Sequence, residues 1–285
     1  MKKPFLWVLL FCWISALFSP CCQAGEGERI KAFVSILPQA CFVERIGGDH
    51  VDVEVMVGPG RSPATYEPTP KQLSRLAGAQ IYFRIGTPFE EGFIKKIRNT
   101  HKDLIIVDMR KGIELRYFND RKGGQRPDPH IWLDPKRVKR QAETICSALS
   151  RLNPGWSAGF ERNFKVFQDD LDVLDAGITK NLAPFRGRSI FVFHPAFGYF
   201  AESYGLVQVA VEMEGKQPGA KQIARLIERA RKGGVKVIFV QPQFSERDAG
   251  TIAEAIGGAV IKMDPLPRDY IGGLATMAES IRENL

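Results

Sequence analysis

Between residues 51 and 57 apolar and acidic positions alternate: Val51, Val53 and Val55 against Asp52 and Glu54. A period of two is the mark of a half-buried β-strand. The segment 29–35 is read as the strand before it. Between the two, Pro38 opens a helix that runs to Ile46 and stops at Gly47-Gly48. Residues 58–70 carry prolines and glycines and predict a rigid loop. A helix is expected over 71–77, a strand over 79–85, a helix over 89–99 and a buried strand over 104–107. Residues 110–127 are polar with little periodicity and predict a surface loop. Pro135 then opens a helix whose apolar positions, Val138, Ala142, Ile145 and Leu149, fall three or four apart.

From Trp156 to Ala183 one apolar stripe continues through Phe160, Phe164, Phe167, Leu171, Leu174, Ile178 and Leu182. At a helical rise of 1.5 Å per residue it spans roughly 40 Å. It predicts a packed connector. Beyond it the strand-helix alternation starts again. Strands are expected at 189–193, ending on His194, at 206–211, at 235–240, and at 259–263, ending on Asp264. Helices are expected at 219–231, 245–256 and 269–284. Strands alternating with helices imply parallel sheets covered on both faces. The predicted fold is α/β: two lobes, each a roughly four-stranded parallel sheet flanked by helices, joined by one long helix. The expected boundaries are a leader at 1–24, an N-terminal lobe at 25–155, the connector at 156–184 and a C-terminal lobe at 185–285.

Composition is that of a globular chain: 285 residues, 44% hydrophobic and 25% charged. The first residues change the picture. Lys2 and Lys3 precede an apolar run from Phe5 to Phe18, and Cys22-Gln23-Ala24 offers a small-x-small cleavage site. That is the layout of a secretory signal, so a periplasmic or otherwise extracytoplasmic protein is expected. A lipid anchor at Cys21 or Cys22 is the alternative, and Pro20 argues against it. The formal charge is +8, but the basic residues are scattered without an aromatic stripe, so a nucleic-acid partner is not expected. Cys41 and Cys146 are the only cysteines after the leader. They are expected to be buried free thiols.

Candidate chemistry centres on Asp128-Pro129-His130-Ile131-Trp132-Leu133-Asp134-Pro135. The two prolines stiffen the stretch and hold it out of a helix, so His130 is presented from a rigid loop. In open α/β sheets ligands sit at the carboxyl ends of the strands. His194 and Asp264 each follow a predicted strand, and His130 lies in the loop after the strand at 104–107. If the lobes face one another, the three converge. Two imidazoles and a carboxylate suit zinc, with manganese or iron possible. For each residue there is a plainer role: His130 as a loop histidine, His194 as a core histidine, Asp264 as a cap on the next turn.

Five ordered motifs are shared with a known family: Tyr66-Glu67-Pro68-Thr69-Pro70, Asp128 to Leu133, His194 with Gly198-Tyr199-Phe200, Gln241-Pro242-Gln243-Phe244-Ser245, and Asp264-Pro265-Leu266. The chain resembles the solute-binding proteins of bacterial zinc and manganese ABC importers over nearly its whole mature length. The resemblance implies a two-lobed receptor, monomeric, that passes a divalent metal to a membrane permease with an ATPase subunit. In zinc members three histidines and one acidic residue bind the ion. His130, His194 and Asp264 stand at three of those positions. Manganese members usually carry glutamate where this chain has His194, which favours zinc. The first family histidine lies two residues ahead of the Tyr-Glu-Pro-Thr-Pro motif, and here that position is Ala64, which cannot ligate. Residues 110–127 also lack the histidines that many zinc members carry in a loop. The fourth position is left to water, to Glu67, or to a donor brought by a metal chelate. Gln241 stands where glutamate is frequent. Two other readings stay open: a zinc hydrolase with an open water position, and a surface adhesin with a vestigial site.

Overall fold

The computed structural model describes residues 28–119, 124–212, 219–244 and 246–285. The expected leader and its cysteines lie outside them. The first lobe is built from β1 (Ile30–Ile36), α1 (Leu37–Gly47), β2 (Val51–Val57), α2 (Pro70–Leu76), β3 (Ile81–Arg84), α3 (Glu90–Thr100) and β4 (Ile105–Asp108). Its sheet runs β2-β1-β3-β4, all parallel. After α4 (Pro135–Leu152) and α5 (Ser157–Leu182) come β7 (Ser189–Val192), α6 (Gly198–Tyr204), β8 (Val207–Ala210), α7 (Ala220–Lys232), β9 (Val237–Val240), α8 (Glu246–Ile256), β10 (Ala259–Lys262) and α9 (Tyr270–Asn284). The second sheet runs β10-β9-β7-β8, again all parallel. Among the described residues no helix is long and apolar enough to cross a membrane.

Local chemistry sets the element ends. Thr69 caps α2, accepting from the Gln72 amide, and Pro70 fills the first turn where no amide hydrogen is needed. Asp134 caps α4 in the same way, accepting from the Lys136 amide. Gly205 ends α6 at φ 72°, a left-handed value that favours glycine.

Period-two alternation sorts each sheet between two cores. In β1 and β3, Ala32, Val34, Ile36, Ile81 and Phe83 face inward, while Phe33 and Tyr82 face the outer layer of α2 and α3. In β7 and β9, Ile190, Val192 and Phe239 face inward, while Phe191, Ile238 and Val240 face α7 and α8. The two inward faces belong to one continuous core. The helix α5 runs through it, burying Phe160, Phe167, Leu171, Leu174, Ile178 and Leu182 against α1, α4 and α9. At 26 residues it is about 39 Å long. Through those helices both lobes pack on a common spine.

Four expectations are corrected. Residues 110–127 are not merely a loop: Tyr117–Asn119 (β5) and Gln125–Pro127 (β6) pair as a short antiparallel ribbon. The strand β4 is not buried. It is the sheet's edge and is half-exposed along its length. The helix α6 has no counterpart among the predicted elements, since seven residues hold too few turns to display a period. Cys41 and Cys146 are both free, but Cys41 is only partly buried.

Candidate metal site

A cleft of about 750 Å³ opens between the lobes. His130 and His194 both line it, and their ring centroids are 5.4 Å apart. One ring comes from the loop after β6, the other from the carboxyl end of β7.

His130 is locked by its own loop. The Asp128 Oδ1 atom accepts from the His130 amide at 3.0 Å and from Nδ1 at 2.6 Å. Asp128 is itself buried, with its amide bonded to the Arg116 carbonyl and its carbonyl accepting from the Tyr199 hydroxyl. A carboxylate only accepts, so the Nδ1 proton is donated to it and the Nε2 lone pair is left for a ligand.

His194 has the same arrangement by another route. Its Nδ1 lies 2.7 Å from Oε2 of Glu212, a buried residue just beyond β8. The Gln241 side chain clasps the His194 backbone, accepting from its amide at 3.1 Å and donating to its carbonyl at 2.8 Å. A glutamate at 241 could not make the second of these bonds. Phe244 stacks on the ring at 5.1 Å. Sequence reasoning missed Glu212 altogether. The available signal was its place at the end of β8, the same sheet edge that carries His194.

The electrostatics suit a dication. Asp128 and Glu212 are two buried carboxylates whose ion-pair partners among the described residues are the two histidines alone. Each keeps one buried oxygen, Asp128 Oδ2 and Glu212 Oε1, without a hydrogen-bond partner. Burial pushes the proton affinity of His130 below that of an ordinary histidine. Asp128 opposes that shift, while the nearby His194 and Arg126 add to it. His130 is therefore neutral near pH 7.

The other predicted ligands are placed differently. Asp264 is exposed at the end of β10, its Oδ1 accepting from the Leu266 amide at 2.9 Å and from Gln243 at 3.3 Å. That is the turn-capping role the sequence allowed. Glu67 is exposed and does not line the cleft, whereas Ala64 does. Among the described residues no three His, Cys, Asp or Glu side chains are gathered closely enough to hold a metal ion.

Residues 33–284 match the family model of the zinc-uptake complex component A, periplasmic. The chain belongs to the ZnuA family. A crystal structure of ZnuA is 37% identical, covers 90% of this chain and 99% of its own, and superposes with a TM-score of 0.85. A zinc-bound ZnuA deletion mutant gives 37% and 0.86, with 90% and 98% covered. A putative metal-binding protein of Chlamydia muridarum is 28% identical over 278 residues, 95% of this chain and 98% of that relative. The manganese ABC transporter substrate-binding lipoprotein PsaA of Streptococcus pneumoniae is 28% identical over 271 residues, 89% and 86%.

In this ZnuA-family chain the buried carboxylates should matter nearly as much as the rings they hold. Asp128→Asn and Glu212→Gln each remove the charge that orients and polarises an imidazole. Each is expected to weaken zinc binding by roughly 10–100-fold, as such outer-sphere changes typically do. Competition against a zinc dye measures it, with circular dichroism to show that the fold is kept.

Proposed function

We propose that this ZnuA-family protein is an extracytoplasmic receptor that captures a divalent transition metal between its lobes and delivers it to an ABC importer, a permease with its ATPase. Zinc is the proposed ion, with manganese or iron as alternatives. The observation that carries the reading is the pair of carboxylate-backed imidazoles meeting in the cleft from opposite lobes. Imidazole nitrogen suits zinc better than the harder manganese. We assign His130 and His194 as ligands, and Asp264 as the third. Residues 194 and 264 leave strands separated only by β9, so their backbones lie about 10 Å apart at two strand spacings. Side chains can close that gap around an ion if the Asp264 carboxylate leaves its turn. Neither Asp264 nor Glu67 lines the cleft, so either would have to move to reach an ion there.

The role we propose is transport: both carboxylates beside the imidazoles are engaged in orienting them. The functional unit is proposed to be a monomer, exported by its leader.

Equilibrium dialysis of the purified protein against micromolar zinc, manganese and iron, followed by metal analysis, tests this. One zinc per chain is expected. No bound metal of any kind overturns the reading.

The same experiment run down in pH should show release. Protons and metal compete for Nε2, so binding is full where the histidines are neutral and is lost as pH falls. Because burial makes His130 take its proton at a lower pH than an ordinary histidine, it should hold its share of the metal further into the acid range.

A further inference from the structure

We propose that the cleft takes its metal as a complex with a small polycarboxylate rather than as a bare ion. This rests on the receptor reading above and names the form in which its cargo arrives.

Three observations converge. The first is a shortage of donors. The described residues bring only two imidazole nitrogens together in the cleft, and even with Asp264 recruited from its turn the protein supplies three donors. Zinc takes four ligands or more. At Ala64 the wall carries only a methyl group, which cannot ligate and leaves room. The second is size. A volume of about 750 Å³ falls within the roughly 300–1,000 Å³ of pockets that hold small organic molecules, and far exceeds what one ion fills.

The third is charge. Arg110 and Arg126 both line the cleft. Arg110 is held by Asp108 at 2.7 Å, with Glu91 nearby to offset it further. Arg126 is exposed, lies 5.8 Å over the Phe118 ring, and forms no ion pair among the described residues. It shares the wall of the cleft with His130. The buried carboxylates favour a cation at the rings, but on the side of Arg126 a bare dication meets only like charge. A carboxylate carried in with the metal reverses the sign, because guanidinium and carboxylate form strong charge-assisted hydrogen bonds. Such a chelator would supply the missing oxygens to the metal on one side and face Arg126 on the other.

The test is dialysis of metal-stripped protein against zinc buffered to one free concentration, with and without radiolabelled citrate, counting zinc and label per chain. One label retained per zinc is expected, with zinc retention raised about tenfold, the worth of one charge-assisted hydrogen bond. Arg126→Gln should lose most of that gain. Ala64→His should strengthen binding of zinc alone and abolish retention of the label, since an added imidazole takes the chelator's place. Zinc held by the wild-type chain with no label retained overturns this inference and leaves the receptor reading intact. Label retained in full by Arg126→Gln overturns the role given to that arginine. No zinc retained in either dialysis overturns both.

Discussion

His194→Ala is expected to lower zinc affinity by on the order of 1,000-fold, beyond the 10–100-fold of an outer-sphere change, because it deletes a proposed ligand outright. The variant has a second effect that must be separated from the first. The Glu212 carboxylate, 4% exposed, would lose its ion-pair partner. A buried charge stripped of its partner costs several kcal/mol or forces the group to take up a proton. The single variant should therefore melt lower as well as bind weakly. His194→Ala combined with Glu212→Gln removes the orphaned charge. It should recover most of the lost thermal stability and none of the lost affinity. Recovery of zinc binding in the double variant would show that His194 acts through stability alone. The backbone should hold its course in both, since Gln241 grips the amide and carbonyl of residue 194, not its ring.

Trp132→Ala should be the most damaging change away from the proposed ligands. Trp132 is 1% exposed, packs at 5.1 Å from the His130 ring, and donates its indole hydrogen to the Pro265 carbonyl at 2.7 Å. It is the bolt between the lobes: its backbone belongs to the His130 loop and its acceptor to the turn after β10. Truncating a buried tryptophan costs about 3–5 kcal/mol through lost transfer energy and the cavity left behind. The Pro265 carbonyl also loses its donor. Chemical denaturation should show that loss. Zinc binding should weaken too, even where the protein is fully folded, because the His130 loop and the Asp264 turn lose their shared anchor. A variant that is destabilised yet binds zinc normally would place the site's rigidity elsewhere. Trp132→Phe keeps most of the volume but not the hydrogen bond, and should fall between the two.

The architecture was legible because it rests on short-range patterns. Residues 51–57 alternate one for one, and the strand occupies Val51–Val57. The stripe from Phe160 to Leu182 repeats every three or four residues, and α5 buries that face. Both sheets have four parallel strands, as the alternation of elements implied. What escaped was short or set by neighbours. Three residues of β5 and three of β6 are held by pairing with each other, and no pattern within either segment can announce a partner. The exposure of β4 follows from its being last in the sheet, which its apolar sequence does not state.

The chain's own order of residues determined the α/β class, the spine helix and the rigid Asp128–Pro135 loop, because periodicity, proline and capping act over a few positions. The motifs also carried the likeness to metal receptors. Only the tertiary structure brought His130 and His194 to 5.4 Å, put Glu212 behind one ring and turned Gln241 into a backbone clasp. It also left Asp264 capping a turn and Glu67 outside the cleft. Those outcomes depend on where two sheets come to rest on one shared core. That packing is a sum over residues far apart in the chain, and no local stretch contains it.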